Sequence, residues 1–86
     1  MVILKYHLKF PEMNTALLII DMQKGSFTPN TPRYDTPGVV SRINSLAEQF
    51  RAENFPVIFI QHDGSQWDVY KPNTEEWELL DELGVQ

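Results

Sequence analysis

ALLII at residues 16–20 and VIFI at residues 57–60 are the two stretches that decide the fold. Neither run alternates with polar residues, which is typical of strands that are covered on both faces, as in a parallel sheet. Between the two runs, residues 37–53 repeat apolar side chains every three or four positions, which predicts an amphipathic helix. A strand, a helix and a strand at this spacing predict a parallel βαβ unit with a right-handed crossover.

Local signals mark the ends of this helix and predict two further elements. Thr36, which is followed by proline, resembles an N-cap, and Asn54 suits the left-handed residue that often follows a helix. Residues 2–10 begin apolar and then alternate, which predicts a half-buried strand or an arm along a sheet edge. Residues 73–83 open with a sequence similar to a capping box, which predicts a short second helix.

Composition excludes several classes of function. The chain has 86 residues, with seven basic and twelve acidic side chains, a net charge of −5 and no cysteine. A chain of this length forms one small domain with a marginal core. Its negative charge argues against nucleic acid and against an anionic membrane surface as partners. The apolar runs are too short to span a membrane, and basic residues interrupt the apolar start, so we expect a cytoplasmic protein.

Polar loops follow both central strands, and Asp21 is the first polar residue after the strand at residues 16–20. In open α/β sheets, ligands bind at the carboxyl ends of the strands, where such loops converge. A carboxylate at this position is expected to be half desolvated, which raises its proton affinity and suits it to general-base catalysis. The alternative is that Asp21 caps the following loop through hydrogen bonds to backbone N–H groups.

Several segments, taken in order, resemble the isochorismatase-like cysteine hydrolases. They are residues 16–23 (ALLIIDMQ) followed by Phe27, the helix at residues 39–53, residues 56–64 (PVIFIQHDG) and residues 74–79 (TEEWEL). The resemblance covers about residues 15–83. It implies one partial α/β domain, in which residues 15–86 form the first half of a Rossmann-like, doubly wound parallel sheet. Residues 1–14 would be an amino-terminal arm or edge strand.

The resemblance also implies catalysis by an Asp–Lys–Cys triad, in which a thiolate attacks a carbonyl or related carbon of a small molecule and water then releases the product. On this pattern Asp21 is the general base that accepts the thiol proton. Gln23 would steady the loop and Phe27 would wall the pocket, and both of them, with His62, are the candidate substrate-binding residues. The chain ends before the family's lysine and cysteine positions, so we expect it to be inactive alone.

Other chemistries fit the loops less well. Ser26, Thr28 and Ser65 are hydroxyls in suitable loops, but no Ser–His–Asp arrangement can be read from the sequence. A divalent metal lacks ligands, because His62 has no second histidine besides His7, so we expect neither a metal nor another cofactor. The first loop lacks the second aspartate that phosphohydrolases need and the glycine-rich motifs that bind phosphates.

Two functional hypotheses remain. In the first, the chain is the amino-terminal portion of an isochorismatase-like hydrolase, which acts on a small-molecule substrate when a second chain supplies the lysine and the cysteine. In the second, it is a non-catalytic α/β association module that retains only the fold. Two parallel strands are too little sheet to be stable alone, so we expect a homo-oligomer or association with a missing carboxy-terminal half.

Overall fold

A three-stranded sheet forms the centre of the fold. The computed structural model describes the backbone of residues 2–7 and the backbone and side chains of residues 15–85. The strands are β1 (Val2–His7), β2 (Thr15–Ile20) and β3 (Val57–Ile60), in that order across the sheet. β1 is antiparallel to β2, and β2 is parallel to β3. The strand predicted within residues 2–10 is confirmed over Val2–His7, and the rest of that prediction lies outside the described residues.

One helix, α1 (Thr36–Ala52), connects β2 to β3 and packs on one face of the sheet. Its buried side chains meet those of β2 in a common core that includes Leu17, Ile19, Val40, Ile43, Ala47 and Phe50. Each large apolar side chain buried in this way contributes about 1.5–3 kcal/mol to folding. The predicted βαβ unit and α/β fold class are therefore confirmed. No helix among residues 15–85 is long and apolar enough to cross a membrane.

The ends of α1 follow the prediction at one terminus and depart from it at the other. Asp35 is the N-cap, and its carboxylate accepts a hydrogen bond from the Gly38 backbone N–H at 3.3 Å. Thr36 is instead the first helical residue, because the carboxylate of the preceding residue already caps the first turn. At the other end Asn54 is left-handed, with φ of 62°, as predicted.

The sheet face that points away from α1 is open at β3. Leu18 lies beside Ile58, and Ile20 lies beside Ile60, in the parallel register. Ile58 is 44% exposed and Ile60 is 38% exposed. The prediction that both faces of β3 are covered is therefore wrong for the described residues. The helix α1 covers the other face of β3 and leaves Ile58 and Ile60 exposed.

The segment after residue 73 does not form the predicted second helix. It contains one short 3-10 turn, Glu75–Trp77, and then runs extended along the segment that follows β2. The Lys24 N–H donates to the Glu78 carbonyl at 2.8 Å, and the Leu80 N–H donates to the Met22 carbonyl at 3.0 Å. These bonds to a distant segment replace the i to i−4 bonds that a helix would need.

Candidate active site

Asp21 stands at the carboxyl end of β2. Its backbone N–H donates to the Ile60 carbonyl oxygen of β3 at 3.0 Å, and its φ of 64° then turns the chain out of the sheet. Aspartate adopts this left-handed conformation more readily than most residues. The side chain is exposed, so the half-desolvated environment expected from the preceding apolar run is not found. Within residues 15–85 no donor is hydrogen-bonded to the carboxylate, so the alternative role as a loop cap has no bond to support it.

A cleft of about 330 Å³ opens beside Asp21, which is a size suited to a small molecule. The lining comes from Asp21, from the loop after β2 and from the first turn of α1, and it comprises Asp21, Ser26, Phe27, Arg33, Tyr34, Thr36 and Val39. Phe27 packs partly against the hydrophobic core and forms an apolar wall of the cleft. Two of the residues selected from the sequence, Asp21 and Phe27, therefore share one concave surface.

Gln23 lies outside the cleft and joins three segments of the chain. It is only 1% exposed. Its side-chain Nε2 donates to the carbonyl oxygens of His62 at 3.0 Å and of Trp77 at 2.8 Å, and its Oε1 accepts from the His62 backbone N–H at 2.8 Å. Both amide N–H groups are thus occupied by the protein. This geometry matches the expected role of steadying the loop, whereas direct contact with substrate stays a prediction.

His62 is held by its backbone and presents an exposed ring. The imidazole lies 6.4 Å from the Trp67 ring in a stacked arrangement and 5.6 Å from the Tyr70 ring in an edge arrangement, measured between centroids. His62 is absent from the lining of the Asp21 cleft. The Tyr70 hydroxyl and the Ser26 hydroxyl lie 2.9 Å apart, and this contact joins the aromatic cluster to the cleft.

A close backbone approach fixes the position of this contact. A Cβ atom on Gly25 would lie 2.8 Å from Glu76 Cβ and 2.8 Å from Tyr70 Cε1, and both distances are too short for a side chain. Glycine at residue 25 therefore lets the loop after β2 pack against the Tyr70 ring and the tail segment. The requirement is steric, because the φ of Gly25 is not positive.

Asp63 is hydrogen-bonded to Ser65 in the turn after β3. Its Oδ1 accepts from the Ser65 backbone N–H at 2.9 Å and from the Ser65 hydroxyl at 2.5 Å. The Ser65 hydroxyl, and after it the Ser65 N–H, lower the pKa of the Asp63 carboxyl below its usual value. Asp63 is therefore an ionised loop residue that stabilises the turn after β3.

Comparison with known proteins identifies the family. The family profile described as "Isochorismatase domain" matches residues 15–86. A crystal structure of an isochorismatase family protein superposes with a TM-score of 0.74 and 32% sequence identity, over 83% of this chain and 41% of that one. The chain belongs to the isochorismatase family. No curated protein matches the sequence. This chain spans less than half of the length of the solved relative.

The loop after β2 of this isochorismatase family member contains a lysine, Lys24. Lys24 follows the strand of Asp21, but its ammonium group pairs with Glu78 and Asp81, at 3.2 Å each, and does not line the cleft. The hydrogen bonds to Glu78 and then Asp81 raise the pKa of Lys24 above its usual value. Lys24 therefore ties the tail to the loop and is not placed to act beside Asp21.

Arg33 and Tyr34 are cleft residues that sequence reasoning missed. Both belong to the long polar loop before α1, which carries no periodic pattern that would assign a direction to its side chains. The one available signal in the sequence was an arginine in the loop that follows β2 and Asp21, the candidate general base. Among residues 15–85, no group of three histidine or acidic side chains is arranged to hold a metal ion.

Proposed function

We propose that this chain is the amino-terminal portion of a small-molecule hydrolase that uses Asp21 as the general base of an Asp–Lys–Cys mechanism. The observation that carries the proposal is the Asp21 carboxylate, which has no hydrogen-bond donor among residues 15–85 and faces a cleft walled by Phe27. A free carboxylate at the carboxyl end of a parallel strand is available to accept a proton. Membership of the isochorismatase family supports the assignment of the reaction class.

In the proposed reaction the nucleophile is a cysteine that lies outside these 86 residues, because they contain none. Asp21 accepts the thiol proton, and the thiolate attacks the electrophilic carbon of the substrate to form a covalent bond. The leaving group departs with a proton, and water then cleaves the bond between sulfur and carbon to regenerate the thiol. The isolated chain has the base without the nucleophile, so we propose that it is inactive alone.

The open side of the sheet supports a second proposal, which concerns association. β3 is the last strand of the described sheet, and Ile58 and Ile60 expose apolar surface on the face opposite α1. An unpaired strand edge beside an exposed apolar face favours contact with another polypeptide. We propose that this side binds the carboxy-terminal half of an isochorismatase fold, with self-association of the chain as the alternative.

A complementation assay tests the catalytic proposal. The purified chain is mixed with a polypeptide that carries the remaining part of the related fold, including its lysine and cysteine, and hydrolysis of a panel of amides and esters is measured. The mixture is expected to turn over at least one compound, and the chain alone none. Asp21→Asn should abolish the turnover. Asp68→Asn is a matched control, because Asp68 is an exposed, left-handed aspartate with φ of 62° outside the cleft.

Size-exclusion chromatography with light scattering tests the association. The chain is expected to run as an oligomer at micromolar concentration, and Ile60→Lys should shift it toward the monomer. Val85→Lys is the control, because Val85 is 50% exposed but does not belong to the sheet. A stable, well-dispersed wild-type monomer would contradict the association proposal. A stable oligomer that never gains activity on complementation would favour the non-catalytic association module.

A further inference from the structure

Arg33 is an exposed residue that is held by one hydrogen bond and has an unused binding edge. Its Nε–H donates to the Ser26 carbonyl oxygen at 2.9 Å, which anchors the guanidinium group to the loop after β2. The N–H groups on the two terminal nitrogens have no hydrogen-bond partner within residues 15–85. No carboxylate of this region lies within ion-pair distance of them, although Arg42 pairs with Asp35 and Lys71 pairs with Asp68. Although acidic residues outnumber basic ones in the chain, this guanidinium group has no acidic partner among residues 15–85.

The free edge of Arg33 lies in the same cleft as Asp21. Both side chains line the 330 Å³ cleft, yet they do not form an ion pair, so their charged groups are more than 4.0 Å apart. The cleft therefore presents a cationic group and an anionic group that are not paired with each other. A guanidinium group binds a carboxylate through two parallel N–H to oxygen hydrogen bonds, which fixes the direction of the bound group.

We propose that Arg33 is a specificity residue that selects small substrates with a carboxylate at one end and an uncharged amide or ester at the other. This inference rests on the proposed function, because it takes the Asp21 cleft to be the substrate site. The carboxylate binds the free edge of Arg33. Repulsion by Asp21 disfavours the reverse orientation of the substrate, so the uncharged carbonyl group lies nearest to the proposed general base. Phe27 provides the apolar wall beside the carbon chain between the two groups.

Binding to the isolated full chain tests the inference without any need for turnover. The probes are succinamate and succinamide, two amides that differ in that succinamate has a carboxylate where succinamide has a second amide. NMR titration of the backbone amides and of the Arg33 Nε–H gives the dissociation constants. Succinamate is expected to bind about tenfold or more tightly than succinamide, since a hydrogen bond to a charged group is stronger than one to a neutral group. Its shift changes should lie on the cleft residues Asp21, Ser26, Phe27 and Arg33.

Three variants separate the contribution of Arg33 from general charge. Arg33→Gln should remove the preference for succinamate, Arg33→Lys should retain a smaller preference, and Arg51→Gln should leave both constants unchanged. Equal binding of the two probes by the wild-type chain, or an unchanged preference in Arg33→Gln, would overturn the inference. If Arg33→Gln perturbs the loop of Ser26, the wild-type comparison and the Arg33→Lys variant still decide it. Failure of the complementation assay leaves these constants unaffected, so the two proposals fail separately.

Discussion

Replacement of Gln23 by methionine is expected to destabilise the fold by roughly 2–4 kcal/mol. The substitution conserves shape but removes all three hydrogen bonds of the buried amide. The Trp77 carbonyl keeps a partner, because it also accepts from Gln61 Nε2 at 3.1 Å. The N–H and the carbonyl of His62 lose theirs, and each buried group left unsatisfied costs about 1–3 kcal/mol. For the two groups together this gives about 2–6 kcal/mol. Because water has access to the exposed His62 segment, we expect a value in the lower part of this range.

A second substitution at the same position separates donor from acceptor. Gln23→Glu keeps an oxygen for the His62 N–H but directs a second oxygen toward the carbonyls of His62 and Trp77. A protonated carboxyl donates one of the lost bonds, whereas a buried carboxylate is repelled by both carbonyl oxygens. The pKa of this residue in the folded state should therefore lie above its unfolded value. With the folded pKa raised, the variant binds more protons when folded and becomes more stable as the pH falls.

Urea unfolding at fixed protein concentration, followed by circular dichroism, measures these free energies. Gln49→Met is the control, because Gln49 is exposed on α1 and should change stability by less than about 0.5 kcal/mol. Hydrogen exchange of the His62 amide provides a local measure, and its protection should fall in Gln23→Met. The reasoning is refuted if Gln23→Met costs no more than the control, or if Gln23→Glu loses stability on acidification between pH 8 and pH 5.

Three further predictions concern the loops. Gly25→Ala should cost about 1–3 kcal/mol in thermal or urea unfolding, because its new methyl group overlaps the Tyr70 ring. Because the pKa of Asp63 is lowered in the folded state, its contribution to the stability of the fold is fully present above the unfolded pKa of about 3.9. This contribution is lost as the pH falls through the folded pKa. Ser65→Ala should raise that pKa toward its usual value in an NMR titration. Asn54→Ala should destabilise by about 1 kcal/mol in urea unfolding while Asn54→Gly is nearly neutral, because the position is left-handed.

The parts of the fold that were predictable from the sequence are those with local, periodic signals. β2, α1 and β3 were each predicted from a local apolar pattern, and Asn54 marks the helix end by its backbone preference. The continuous run of β3 did not reveal that Ile58 and Ile60 are exposed. The second helix was wrongly predicted because Met22 and Lys24, more than fifty residues earlier, offer backbone hydrogen bonds that compete with a helix. Pairings between such distant segments leave no trace in a local pattern.

The candidate site divides in the same way. Asp21 and Phe27 were selected from the sequence, and the structure places them in one cleft. The partners of Gln23 are backbone atoms 39 and 54 residues away. No residue type reveals such partners, so the hydrogen bonds by which Gln23 joins three segments could not be predicted from the sequence. Arg33 was missed because an irregular loop gives its side chains no predictable direction.

The backbone position of Asp21, the proposed general base, is held by contacts within residues 15–85, although the chain contains no cysteine for the proposed nucleophile. Gln23 is two residues from Asp21, and it fixes the loop after β2 to the loop after β3 and to the tail through backbone atoms of residues 62 and 77. Lys24 adds ion pairs from the same loop to the tail. These contacts all lie within residues 15–85, so the backbone of the loop that carries Asp21 is held by this chain's own residues. Under the proposed mechanism the thiol and the lysine still have to be supplied at the cleft, but the loop that carries the proposed base is already held in place. Gln23→Met consequently should lower kcat of the complemented enzyme through misplacement of Asp21, even under conditions where the variant remains folded.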